Sequence, residues 1–91
     1  VTTVSWSPRA LREFRAAVAD VGDRDPAAAR RLAGRVASQI ALLTQFPDIG
    51  TPLPEGHRKL SVTGYPYMIR YRVTAQRVEI VSVRHMARAA P

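Results

Sequence analysis

The side chains Arg58, Lys59, Arg70, Arg72, His85 and Arg88 are of the types that handle phosphate. Cutting RNA without a metal sets three tasks: a 2′-hydroxyl loses its proton, a crowded phosphate is stabilised, and the leaving oxygen is protonated. The first and third suit His, Glu or Tyr, and the second suits Arg or Lys. Tyr71 and Glu55 complete the acid–base candidates, in second rank. Arg70 and Arg72 are alternate residues, so on a strand they project from one face. His85 and Arg88 follow the last apolar run. If that run neighbours the strand bearing Arg70, all four gather in one basic patch. Each also has a plainer role. Alternate arginines suit a solvated sheet face, His85 a hydrogen bond at a strand end, and Arg88 an ion pair with Asp48 or Glu55.

Other chemistries find little to work with. His57 and His85 are far apart in sequence and no paired carboxylates accompany them, which argues against a metal centre. The chain has no cysteine, hence no disulfide framework and no thiolate ligand. No glycine-rich phosphate loop is present, no serine triad is supported, and no cofactor is expected.

Charge says more. Fourteen Lys and Arg residues against seven Asp and Glu give +7, and Lys59 is the one lysine among them. Such an excess favours acidic partners, nucleic acid or an acidic protein segment, and arginine's planar fork suits phosphate and carboxylate. Fourteen alanines beside the arginines allow compositional bias as the reason for arginine over lysine, but the net charge stands either way. The 91 residues are expected to form one domain, 1–91. No apolar run is long enough to span a membrane, and VTTVSWSPRA lacks the layout of a signal peptide. The expected location is the cytoplasm.

The elements that must position these residues are legible in order. Thr2 to Trp6 reads as a strand. Ser7-Pro8 is a helix start, and Leu11, Phe14, Val18 and Val21 recur at helical spacing, with Gly22 as the expected end. Asp25-Pro26 repeats the start signal for a second helix. Its stripe is Leu32, Val36, Ile40 and Leu43, and it stops near Phe46-Pro47. The two form an antiparallel hairpin, with Ala33, Gly34 and Ala37 small enough for close approach. Residues 47–57 read as a loop without regular structure. Three strands follow: Arg58 to Val62, a second with Tyr67, Ile69, Tyr71 and Val73 on one face and Met68, Arg70 and Arg72 on the other, and Val78 to Arg84. The last is apolar on both faces and therefore expected inside the sheet. Trp6 is expected as a core anchor, and Tyr65, Tyr67 and Tyr71 as core and turn residues. The expected fold is α+β in two layers, β-α-α-β-β-β, with the helical hairpin on one face of a mainly antiparallel four-stranded sheet.

Four segments in this order, VSWSPRALREF, LLTQFPDIGTPLPEG, RKLSVTGYPYMIRYRV and VEIVSVRHMARAAP, resemble the RelE/ParE toxins of type II toxin–antitoxin systems over nearly the whole chain. The Pro-Tyr, Tyr-Arg-Val and His-x-x-Arg pieces look closer to the ParE branch. That resemblance implies a toxin that poisons DNA gyrase without catalysis of its own, neutralised by a cognate antitoxin in a hetero-oligomer. The RelE branch implies instead a ribosome-dependent endoribonuclease that cuts mRNA. Arg12, Arg30, Arg31, Arg35, Arg70, Arg72, Arg84 and Arg88 are the candidates for meeting antitoxin carboxylates or the target. An acidic or amphipathic antitoxin segment is expected on the helical hairpin and the sheet edge. Three departures weaken the RNase reading, the first being that Glu55 lies in a loop and is poorly placed to act as a fixed base. Met68 falls where some RNase members carry a basic residue, and no tyrosine follows His85 to donate a proton. Arg58, Lys59, Arg70, His85 and Arg88 would carry the cutting if that reading held.

Overall fold

Each helix begins on a side-chain cap followed by proline. The structure, a computed structural model, describes residues 3–86. Strand β1 (Thr3–Trp6) runs into helix α1 (Pro8–Arg24) through Ser7, whose Oγ accepts the Ala10 N–H at 3.0 Å. The same hydroxyl donates to the Val81 carbonyl at 3.0 Å, so the cap also pins the helix start to a strand far along the chain. Asp25 alone joins α1 to helix α2 (Pro26–Gln45). Its N–H closes α1 on the Val21 carbonyl, and its Oδ1 accepts the N–H groups of Ala27 and Ala28. Gly22 therefore lies inside α1 rather than ending it. A Cβ there would sit 3.4 Å from that of Ala29, so the small residue serves the helix crossing. Gly34 does not: nothing lies within 4 Å of its missing Cβ, and Ala37 is exposed.

Beyond α2 come strand β2 (Thr51–Pro52), a short 3-10 turn (Pro54–Gly56), and strands β3 (His57–Ser61), β4 (Tyr67–Val73) and β5 (Arg77–His85). Their order in the sheet is β1-β5-β4-β3-β2, with β1 parallel to β5 and the other pairs antiparallel. The sheet thus has five strands where four were expected, and 47–57 is not wholly irregular. Thr51 pairs with Lys59 and Pro52 with Arg58. Proline is tolerated there because β2 is an edge, where its missing N–H faces no partner.

Side chains alternate between two faces. Toward the helices point Val4 and Trp6, Arg58 and Leu60, Ile69 and Tyr71, and Val78, Ile80 and Val83. Arg58 apart, they form the core with Leu32, Val36 and Leu43 of α2. Full burial of side chains such as Leu32, Ile69 and Ile80 contributes about 1.5–3 kcal/mol each. Trp6 is half-buried, its ring 5.3 Å from that of Phe14. The β4–β5 register shifts at Arg70/Tyr71, where Arg70 pairs with Ser82 and Tyr71 with Ile80, leaving Val81 as a bulge. Past this point β1 no longer covers β5, and Glu13 of α1 reaches over to accept the Val83 N–H at 3.1 Å.

The loop before β3 is tied down by polar contacts. The Tyr71 hydroxyl accepts the Gly50 N–H and donates to the Pro47 carbonyl, each at 2.8 Å. Gln39 of α2 accepts the Thr63 N–H and donates to the Ser61 carbonyl, fixing the β3–β4 turn against the helix. Among the described residues no helix is long and apolar enough to cross a membrane.

Candidate binding face on the outer side of the sheet

The sheet face turned away from the helices carries His57 and Lys59 of β3, Met68, Arg70 and Arg72 of β4, and Glu79, Ser82 and Arg84 of β5. Alternation places them there: the apolar partners of each strand are committed to the core, so the intervening polar residues must face outward. An open basin of about 450 Å³ lies on this face, walled by His57, Met68, Arg70, Ser82 and Arg84, with Arg9 of α1 and Glu55 of the 3-10 turn at its rim. Three guanidinium groups and one carboxylate line it, so with neutral imidazole its wall charge is +2. Glu55 holds a left-handed backbone (φ 67°), a conformation that costs an L-residue about 1–2 kcal/mol.

Two of the arginines have assigned partners. The Arg70 Nε–H donates to His57 Nδ1 at 2.7 Å, diagonally across the β3–β4 pair. Arg72, directly opposite His57, forms an ion pair with Glu79 at 2.7 Å. Arg84 is exposed and lies across from Met68, and Lys59 is exposed across from Arg70. This face offers positive charge to an anionic surface. It places one imidazole and one carboxylate at the basin, and Met68 among the arginines of its lining.

The expected convergence of Arg70, Arg72, His85 and Arg88 does not extend to His85. Arg70 and Arg72 do share a face, but His85 pairs with Tyr67 and points to the helix side. There its ring stands edge-on to that of Tyr67 at 5.1 Å, beside Glu13 and Ala17. Parity explains the error. The bulge at Val81 inserts a residue, so strand alternation cannot be carried through β5 unbroken. Arg88 lies outside the described residues. Arg58 also leaves the set: it points helixward and donates to the Gly50 carbonyl at 2.8 Å and the Asp48 carbonyl at 3.1 Å, with the Asp48 carboxylate 3.7 Å from its Nε. It braces the loop. Tyr71 is fully buried, and burial pushes its hydroxyl above its ordinary value of 10.0 despite the Gly50 hydrogen bond and the nearby Arg58 charge. It is a structural tie, unsuited to acid–base work at neutral pH.

Arg12, Arg30, Arg31 and Arg35 are exposed on the helical hairpin, away from the basin. Arg31 stands 3.9 Å from Asp25. At the far end of α2 the apolar Leu42, Phe46 and Ile49 are also exposed. His57, Arg9 and Ser82 are basin residues that sequence reasoning missed. The signal for His57 was present: extending the strand one residue back from Arg58 puts it in phase with Lys59 and Ser61.

The fold is a helical hairpin on a mixed sheet whose outer face is cationic. The model of the ParE toxin of type II toxin–antitoxin systems, parDE, matches residues 4–90, and the chain belongs to that family of type II toxins, within the RelE/ParE superfamily. It is 38% identical over 85 residues to toxin RelE2 of Caulobacter vibrioides, covering 93% of this chain and 96% of that one. To toxin RelE1 of the same organism it is 32% identical, covering 91% of each. A chain from the chromosomal ParDE TA system of P. aeruginosa has the same fold, with a TM-score of 0.80 at 19% identity over 92% of this chain and 95% of that one.

Proposed function

We propose that this toxin acts in the cytoplasm by binding and inhibiting DNA gyrase, without catalysis of its own, until a cognate antitoxin covers it. The observation that supports binding over cutting is the outer basin itself. Its imidazole already accepts the Arg70 Nε–H through Nδ1, and His85 faces the opposite side. General acid–base cleavage wants a free base and an acid on either side of the phosphate. A cationic face made of Lys59, Arg70 and Arg84 suits recognition of an acidic surface instead. The test is plasmid supercoiling by purified gyrase with and without the toxin. Inhibition that weakens in Arg84→Glu supports the reading, and full supercoiling at a large excess of folded toxin rejects it.

A second reading, ribosome-dependent cleavage of mRNA, is favoured by one observation: Glu55, His57, Arg70 and Arg84 line a single basin, which brings possible acid–base groups and phosphate ligands together. Cleavage of a defined message on translating ribosomes, lost in Arg70→Ala, would select it.

For the antitoxin we propose a segment lying along α2. Arg30, Arg31 and Arg35 would meet its carboxylates, and Leu42, Phe46 and Ile49 its apolar side chains. Phe46→Asp would then weaken the complex, read by titration calorimetry, while a triple substitution of the three arginines would remove its salt dependence.

A further inference from the structure

An arginine side chain only donates hydrogen bonds, because its guanidinium stays protonated at any physiological pH. The atom that accepts the Arg70 Nε–H, His57 Nδ1, must therefore carry a free lone pair. That fixes the ring as the neutral tautomer with its proton on Nε2. A second proton on this ring would go to Nδ1 and turn the acceptor into a donor. Two N–H groups would then point at each other across 2.7 Å, each carrying positive charge, and the contact could not survive.

We infer that His57 is a proton-operated latch for Arg70: its neutral ring holds the guanidinium in the basin wall, and uptake of a proton releases it. His57 is the positioning residue and Arg70 the group it positions. The charged groups that face the pair come from every neighbouring element. Lys59 projects from the same strand, Arg84 from β5 and Arg9 from α1, and Glu55 is the carboxylate of the basin rim. Arg72, directly opposite His57, is engaged by Glu79. A released Arg70 thus meets a wall that has gained one positive charge and offers Glu55 as its carboxylate. The basin therefore has two charge states, one with the ring neutral and one with it protonated.

The consequence for function rests on the proposal that this face meets the target. A basin with one more charge and an unlatched guanidinium grips an anionic surface differently, so inhibition depends on pH through His57.

The test has two arms on the full-length toxin. In the first, the Arg70 Nε–H signal and the His57 ring nitrogens are followed by NMR through the histidine titration range. The expected result is an Nδ1 acceptor at the alkaline end and an Arg70 Nε–H that loses protection as the ring protonates. Exchange of this proton is base-catalysed, so faster exchange on acidification runs against the intrinsic trend and marks release. His57→Gln, whose amide oxygen can accept the same hydrogen bond, keeps Arg70 protected throughout. An Arg70 signal that ignores the His57 titration, or a ring protonated on Nδ1 at the alkaline end, overturns the latch. In the second arm, gyrase inhibition is compared across the same range. Wild type is expected to change by up to about tenfold, the scale of one charge-assisted contact, and His57→Gln to stay flat. If the NMR arm behaves as expected while inhibition is equally flat in both proteins, the latch stands and the outer face is not the target surface.

Discussion

The Tyr71 hydroxyl lies 2.8 Å from the Gly50 nitrogen, and a single carbon added to Gly50 would fall 2.5 Å from that same oxygen. The contact fastens the loop after α2 to the central strand of the sheet, and the loop in turn carries β2 and the turn that places Glu55. Tyr71→Phe strands two backbone groups, the Gly50 N–H and the Pro47 carbonyl. The expected loss is about 1–3 kcal/mol in urea denaturation. The same bond sets an alkaline limit. Burial raises the Tyr71 hydroxyl above 10.0, so the folded chain keeps a proton that the unfolded chain gives up. Stability is complete below the unfolded value and falls as pH rises toward and through the folded one. Tyr71→Phe, though weaker at neutral pH, should lack this part of the alkaline decline.

Gly50→Ala tests the other partner. The added methyl would meet the Tyr71 ring carbon Cε1 at 2.7 Å and the Lys59 carbonyl oxygen, a backbone atom, at 2.7 Å. Overpacking of this kind costs about 1–3 kcal/mol. The double variant with Tyr71→Phe should cost less than the sum, since one of the clashing atoms is gone. A strictly additive double-mutant cycle would disprove the shared contact.

Gly34→Ala should work in the opposite direction. The helix surface around Gly34 is open, so alanine gains helix propensity worth up to about 1 kcal/mol with no steric penalty. Thermal denaturation reads the gain.

Asp25 governs the corner between the helices. Asp25→Ala removes both side-chain hydrogen bonds at the start of α2 and should cost about 0.5–2 kcal/mol. Asp25→Asn should restore most of it, because the amide oxygen caps as well. The exposed contact to Arg31 at 3.9 Å adds little, so Arg31→Ala should leave the midpoint unchanged.

On the outer face, Arg84→Glu reverses a charge that has no packing role. If gyrase is the target, as proposed, its inhibition is expected to fall by about tenfold or more with an unaltered melting temperature. A fall in both together would mean that the side chain matters for folding.

The main elements could be read from residue types because local chemistry specifies them. Ser7-Pro8 and Asp25-Pro26 announce both helix starts, and the Leu32, Val36, Ile40, Leu43 stripe defines the buried side of α2. The alternation of Tyr67 to Val73 correctly separates core from exterior. What failed depended on distant partners. Two residues, Thr51 and Pro52, become a strand only because Lys59 and Arg58 lie beside them. Gly22 reads as a terminator but is a crossing point with Ala29. Arg58 reads as a phosphate ligand but is consumed by the Gly50 carbonyl. The bulge at Val81 leaves no mark in composition, yet it decides that Arg84 faces the basin and His85 does not. The basin was half legible: Met68 and Arg70 were placed on one outer face, while His57 and Arg9 join it from other elements.

Strand β1 has β5 as its sole neighbour in the sheet, and Ser7 bonds across 74 positions to reach Val81. Such distant pairings are slow to close. Ser82 and Arg84 sit on β5 itself, so the outer face takes shape together with the longest-range pairing of the sheet.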